Sequence, residues 1–415
     1  MSRVLRLPVD AVAPPRLGTP FRWLLLSSVV TNLGDGVLLA AGPLLVASET
    51  RDPLLVAAAM FLQQLPWLLF GVLAGAWSDR LDRRRVVLVV DLLRACVLAV
   101  LTLTILTGVA DIRLVLATLF VLGTAETLSD IASSALLVET VERSHLGVAN
   151  ARLQGGFITA NQLVGPPVGA ALFALARPFP FALTAVCAAA GAVLVSRVAL
   201  RARPAPDRSR ALREDVAEGM RWLWSHPPVR TLTLTIVLFN VTFGAAWSVL
   251  VLYAQERLGL DATGYGWLLV SMAVGGLVGT AAYAWLERNV GMVWLMRIGL
   301  VLETLTHLAL AVTTEALLAL AIMFVFGLHA FVWGTTSRTI RQRSVPVELQ
   351  GRVGSVYMIG VYGGMLVGAP VGGLLAREWG LTAPFWFGFV GSAVLVVVMW
   401  RGFAHLTDDA PAARC

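Results

Sequence analysis

Lysine is absent from this 415-residue chain, and charge of either sign is scarce, with Asp, Glu, Lys and Arg together making 14% of it. Soluble domains carry about 25% charged residues, so a water-soluble globule and a disordered chain are both excluded. Cysteine is nearly missing as well. The three present, Cys96, Cys187 and Cys415, are far apart and two lie in apolar runs, which excludes a disulfide framework and a cysteine metal site. No histidine and carboxylate group has metal-ligand spacing either. What fills the chain is apolar: 58% hydrophobic residues and a mean hydropathy of +0.79. The solvent for such a sequence is lipid.

Apolar runs fall at about 23–47, 54–78, 86–109, 113–137, 153–176, 179–199, 231–254, 264–286, 291–313, 315–337, 353–376 and 381–403. Each is long enough to cross a hydrocarbon core of about 30 Å as a helix. Twelve spans put both termini on one side. Twenty-six arginines lie in the tails and loops of that side and five (Arg51, Arg113, Arg177, Arg257, Arg377) on the other. By the positive-inside rule the first side is the cytoplasm. The net charge of +7 is therefore a membrane-orientation signal, and nucleic acid is not expected as a partner. The first apolar run is followed by no cleavage motif and reads as a retained helix.

The longest polar interruption, Arg197–Arg230, divides the chain into a six-span bundle at 1–200, a linker at 201–230, a second bundle at 231–403 and a tail at 404–415. Residues 213–225 of the linker read as a helix that suits the membrane surface through Trp222 and Trp224, ended by Pro227-Pro228. The halves echo each other. Gly71-Val-Leu-Ala-Gly75 recurs as Gly275-Gly-Leu-Val-Gly279, and Gly165-Pro166-Pro-Val-Gly169 recurs as Gly368-Ala-Pro370-Val-Gly372, at nearly equal offsets. Such glycine spacings let neighbouring helices approach closely, and the repetition marks a duplicated six-helix unit.

The sharpest motif follows span two: Gly71-x-x-x-Gly75-x-x-x-Asp79-Arg80-Leu-Asp82-Arg83-Arg84-Arg85. Asp79 continues the glycine face by one turn, at a helix end where a carboxylate can meet the positive terminus of a neighbouring helix. The spacing resembles the loop 2–3 signature of the major facilitator superfamily. The resemblance spans the chain and is nearest to the exporters related to the enterobactin exporter and the macrolide efflux pumps. Local matches include Asn32-Leu-Gly-Asp35-Gly, Leu122-Gly-Thr-Ala-Glu126, Ala149-Asn150, Glu214-Asp-Val-Ala-Glu218 and Gly351-Arg352-Val. Departures are equally specific. Tyr283 stands where the second half would repeat Asp79, and Leu119 stands where many proton antiporters carry an arginine in span four. The Gly165–Ala170 motif lacks the antiporter signature's upstream glycines.

The resemblance implies an all-α integral membrane fold of two pseudo-symmetric six-helix bundles that rock about a central site, with Asp79, Arg80, Arg83 and Arg84 as a cytoplasmic gate. Glu139 or Glu142 is a candidate partner for that gate. Spans one, four, seven and ten are implied to line the path. Ionisable and polar residues inside spans are functional candidates by default: Asn32 and Asp35 on one face of span one, and Glu126 and Asp130 one turn apart in span four. Asn240 and Trp247 in span seven and His329 and Trp333 in span ten join them. Glu303 and His307, one turn apart in span nine, read as a structural pair, with a role in proton coupling as the second reading should Asp35 and Glu126 not carry it, and Asp91 with Arg94 as a local pair. Trp67, Trp247, Tyr253 and Tyr357 are candidates for an aromatic lining. The expected function is proton-coupled export of a drug, siderophore or macrolide-like molecule by a monomer in the cell membrane. A lipid or lysolipid flippase of the same fold is the alternative, and a non-transporting sensor a weaker one. Without lysine no nucleotide-binding phosphate loop exists, so no cofactor is expected and the energy source is an ion gradient. The topology is testable with single cysteines: a membrane-impermeant label should react at position 205 only after the cells are opened, and reaction in intact cells would refute it.

Overall fold

The computed structural model describes residues 15–78, 82–199, 212–400 and 402–403, and among them every regular element is helical. Lipid offers no partner for a free N–H or C=O, so each apolar run closes its own backbone hydrogen bonds as a helix. Spans one to six are Gly18–Glu49, Pro53–Ser78, Arg83–Leu106, Ile112–Thr140, Leu146–Leu175 and Phe179–Ser196. A linker helix, Leu212–Ser225, precedes spans seven to eleven at Pro227–Trp247, Ala262–Val290, Met292–Val312, Ala316–Ser344 and Gln350–Trp379. Eleven helices are long and apolar enough to cross a membrane, and the twelfth, Ala383–Met399, is shorter at 17 residues. Asp111 and Asp261 start spans four and eight by accepting hydrogen bonds from the N–H groups of Leu114 and Gly264. Gly291 and Gly380, at φ +80° and +90°, turn the chain out of spans eight and eleven.

Two spans differ from the uniform helices the sequence predicts. Span five contains a π-helical stretch at Ile158–Val164, before Pro166, whose missing N–H and ring disfavour a continuous α ladder. Span seven ends at Trp247, short of the expected 254, and the chain continues through Leu250–Leu252 into a π turn at Tyr253–Arg257. Ser248 bridges the break, its hydroxyl donating to the carbonyls of Ala245 and Ala369.

The chain forms two compact units. One holds span one, span two from Leu65 and spans three to six; the other holds Thr50–Gln64, the linker helix and spans seven to twelve. In the first unit spans one and five meet through glycine: a Cβ on Gly169 would lie 2.3 Å from the Val37 carbonyl oxygen, and one on Gly165 2.5 Å from Gly36. In the second unit Gly364, Gly368 and Gly372 of span eleven repeat the device every four residues. A Cβ on each would lie 2.5, 2.3 and 2.0 Å from the carbonyl oxygens of Val237, Val241 and Ala245 on span seven. Pro370 lies in the same span-eleven helix. The linker helix packs on the start of span eleven, with Leu223 among Val229, Val345, Val353 and Val356 and with Glu218 2.9 Å from Arg352. In the same unit the segment before span two is tied by Asp52 to Arg377, 3.7 Å away, and by Arg51 to Gln255 at 2.8 Å.

The glycine contacts set an expectation for stability. Gly372→Ala should cost about 1–3 kcal/mol through overpacking, read as a lower melting temperature in detergent. Gly363→Ala in the same helix, where no atom lies within 4 Å, should not lower it. Equal melting of both variants would contradict the packing argument.

Candidate functional site

The first unit encloses a cavity of about 350 Å³. Its wall is built from helical periodicity. Leu24, Ser27, Ser28, Thr31, Asn32 and Asp35 form one face of span one, and Glu126, Ser129, Asp130, Ser133, Ser134 and Leu137 repeat the same spacing on span four. Asn150, Gln154, Phe157 and Asn161 supply span five, and Val87, Asp91 and Arg94 span three. At 1.5 Å per residue the lining stripe of span one, from Leu24 to Asp35, runs for about 16 Å. The π stretch carries Asn161, which lines the cavity while its own backbone sits against Gly36.

At one end stands a buried charge cluster. Arg94 Nη2 donates to Asp35 Oδ1, and Arg94 Nη1 lies 3.7 Å from Asp91 Oδ1. The side chains of Arg94 and Asp91 are 5% and 1% exposed, and Ser129 Oγ donates to Asp91 Oδ1 at 3.4 Å. Asp91 and Arg94 are therefore more than a local pair: the guanidinium reaches across to span one because a lone aspartate one turn away leaves its other donors unfilled. Glu126 lies within Coulombic reach of Arg94 and Asp35, and with Asp130 it faces the cavity with solvent-accessible surface. Four carboxyl groups thus line a cavity that holds one guanidinium, which contacts two of them, Asp35 and Asp91. Asn32 donates to the Ser28 carbonyl at 2.7 Å, fixing its amide against its own helix.

Other predicted residues fall elsewhere. Asn240 is buried where span eleven crosses, donates to the Ile236 carbonyl at 2.7 Å, and lies under Gly364. Trp247 stacks on Phe243 with ring centroids 5.0 Å apart, Phe243 stacks on Phe326 at 5.7 Å, and Phe239 stacks on Trp333 at 6.1 Å. Trp333 and His329 border a cavity of about 120 Å³ in the second unit. Tyr253 is not a lining residue: it is fully buried, packs on Phe385 and donates to the Leu310 carbonyl at 2.6 Å. Tyr357 lies beneath the Arg341 guanidinium and contacts Ser337. Glu303 contacts His329 as well as His307, a cross-span contact the reading of a simple pair missed.

Of the gate motif, Asp79 and Arg80 lie outside the described residues, and Gly71 and Gly75 fall in span two. Arg83 pairs with Glu139 at the end of span four, and Arg84 donates to the Val198 carbonyl just past span six, at 3.1 Å. Both arginines therefore tie spans of the first unit to one another. Carbonyls at a helix end have no intrahelical partner, which makes them natural acceptors for such a side chain. Asp82 caps span three through the Arg85 N–H.

The helical fold and its charged, polar cavity fit a membrane transporter, and the relatives place the chain in the major facilitator superfamily. More narrowly, the chain belongs to the transmembrane secretion effector family, whose profile matches residues 10–409. It is 29% identical over 381 residues to the multidrug efflux pump Tap of Mycolicibacterium fortuitum, covering 88% of this chain and 91% of that protein. The multidrug efflux pump Tap of Mycobacterium tuberculosis strain H37Rv is 26% identical over 377 residues, with 87% and 88% covered. The fold is similar to a crystal structure of a mutant of the nucleoside transporter NupG, with a TM-score of 0.76, 10% identity and coverage of 94% and 100%.

The buried charge cluster has a testable energetic signature. Arg94→Met should destabilise the protein by about 3 kcal/mol, because removing one partner leaves buried carboxylates uncompensated. Adding Asp35→Asn should recover part of that loss. Thermal unfolding of the single and double variants measures the coupling, and independent, additive losses would rule out the pairing.

Proposed function

We propose that the protein exports amphipathic or cationic small molecules across the cell membrane in exchange for protons, by alternating access and with both termini in the cytoplasm. The observation that carries this reading is the excess of carboxyl groups over the single guanidinium of Arg94 in one cavity. The volume of about 350 Å³ falls in the range of small-molecule sites. Support for efflux comes from the similarity to the Tap pumps over most of the chain. The working unit in this reading is one chain, with a small-molecule substrate, protons and lipid as its partners, and with the proton gradient as its energy source.

Coupling follows from charge. Arg94 balances one carboxylate of the cluster, and the remaining acids need a proton or a cation before the cavity can close away from water, since an uncompensated buried charge is costly. Either occupant satisfies that need, and the two compete for it. A substrate cation leaving outward is replaced by a proton entering, which is antiport. One proton exchanged for one monovalent cation moves no net charge, so the pH difference drives the step, and each tenfold ratio of protons supports a tenfold ratio of substrate. In this reading Arg94 of span three supplies the cavity's guanidinium, span four having Leu119 where many proton antiporters carry an arginine. Asp79 and Arg80, with Arg83 and Arg84, serve in this reading as the cytoplasmic gate.

Asp35→Asn and Glu126→Gln should each abolish accumulation of ethidium against its gradient in inverted vesicles, while downhill exit stays measurable. If both variants still accumulate it, and a protonophore collapses the gradient they build, the coupling acids lie elsewhere.

A further inference from the structure

The second unit holds an ionisable cluster that the N-terminal cavity does not touch. Glu303 sits within span nine with its side chain 1% exposed. His307 Nε2, one turn along, lies 3.0 Å from its Oε1, and His329 Nε2, from span ten, lies 3.2 Å from its Oε2. One carboxylate is thus bracketed by two buried imidazoles. Span twelve, packed on span nine, has no ionisable side chain between Ala383 and Met399. From span ten only His329 reaches Glu303, as Arg338, Arg341 and Arg343 lie two or more turns further along. Span seven carries Arg230 at its start, and span eight carries Tyr265, Tyr283, Glu287 and Arg288, none of which acts on Glu303.

Three features distinguish this cluster from a structural pair. The contacts are close in distance, but the ring N–H axes lie off the line of a hydrogen bond, and the Nδ1 atoms of both rings are buried without a partner among the described residues. A poorly aligned neutral contact is worth little, so the attraction rests on charge, which a histidine has only when it binds a proton. Second, each histidine borders its own cavity. His329 faces one of about 120 Å³ with Gly299, Leu300 and Trp333, and His307 faces one of about 20 Å³ with Trp247 and Leu310. The first begins one turn before Glu303 along span nine and the second ends beyond His307. Third, both spaces are lined almost wholly by apolar side chains, so among the described residues the counter-charge to Glu303 is a proton on one of the two rings.

We propose that Glu303, His307 and His329 form a second proton site, in which a proton bound to an imidazole nitrogen is held against the Glu303 carboxylate. Binding forms one N–H bond, and no other bond forms or breaks. Its part in transport rests on the proton-coupled reading above; its capacity to bind protons does not.

The test uses the full-length protein in lipid nanodiscs with ¹⁵N-labelled histidine. The chain has 5 histidines, and His307→Gln and His329→Gln assign two of them by loss of signal. The ring signals are followed through a pH titration, and Glu303→Gln should weaken the proton affinity of both rings at least tenfold. Rings that hold one protonation state throughout, or that ignore Glu303→Gln, overturn the site. In vesicles with a pH gradient, Glu303→Gln and His329→Gln at equal expression should lower ethidium accumulation at least tenfold, and full accumulation by both overturns the site's part in transport. Wild-type export indifferent to the pH gradient would instead refute proton coupling itself, with the ring titration still deciding whether the proton site exists.

Discussion

The guanidinium of Arg94 is the constraint around which the first unit is arranged. An arginine in the body of a membrane span is stable only against counter-charge, and here that charge comes from two helices, Asp91 on its own span and Asp35 on span one. Meeting both requires spans one, three and six to approach closely. Gly191 of span six provides the room: a Cβ there would lie 2.3 Å from Thr31 and 3.5 Å from Asp91. Ser27 and Thr184 then fasten spans one and six by donating to the carbonyls of Gly191 and Gly34. Electrostatics at one point thus dictates small residues at several others, and the cavity is the space left between polar faces that cannot close on themselves.

The duplicated halves preserve backbone geometry and let side-chain chemistry diverge. Gly165 and Gly169 bring span five onto span one, and Gly368 and Gly372 bring span eleven onto span seven, each by setting a glycine over a carbonyl of the facing helix. That is a steric requirement, which any larger residue breaks, so both copies retain it. Polarity is not constrained in this way. Where span one carries Ser28, Asn32 and Asp35, span seven at the offset of the Gly71 and Gly275 repeats carries Leu232, Ile236 and Phe239, and Phe239 stacks with Phe243 and Trp333. The same helix packing thus surrounds a hydrophilic cavity in one unit and an aromatic one in the other.

The spans, their number and the glycine contacts were legible because each rests on a local pattern, either a long apolar run or a small residue every fourth position. Asp35, Glu126 and Asp130 were legible as charges where lipid should allow none. The polar stripes on spans one, four and five were equally present as serines, threonines and amides at helical spacing, yet uncharged residues in a membrane helix often just return a hydrogen bond to the preceding turn, as Thr102 and Thr304 do. Contacts between distant spans were not legible. Arg94 has an acid one turn away in sequence, so its stronger partner on span one was hidden, as was His329 behind the nearer His307. The π stretch of span five and the break after Trp247 also depend on tertiary contacts, of Asn161 with Gly36 and of Ser248 with Ala369. No periodicity announces them.

Volume separates what the two charge clusters can exchange. A carboxylate facing about 350 Å³ of polar cavity is open to any cation that fits, and a solute of drug size needs some 300 Å³ or more. Glu303 has His307 and His329 against it and nearly apolar cavities of about 120 and 20 Å³ beyond them. Neither space holds a solute of drug size, whereas a proton needs only a ring nitrogen. In the proposed reading, competition between substrate and proton therefore belongs to Asp35, Glu126 and Asp130, and the Glu303 cluster binds protons alone. A transporter with both kinds of site can let the substrate vary widely in shape, because one of its two proton-binding groups never has to recognise it.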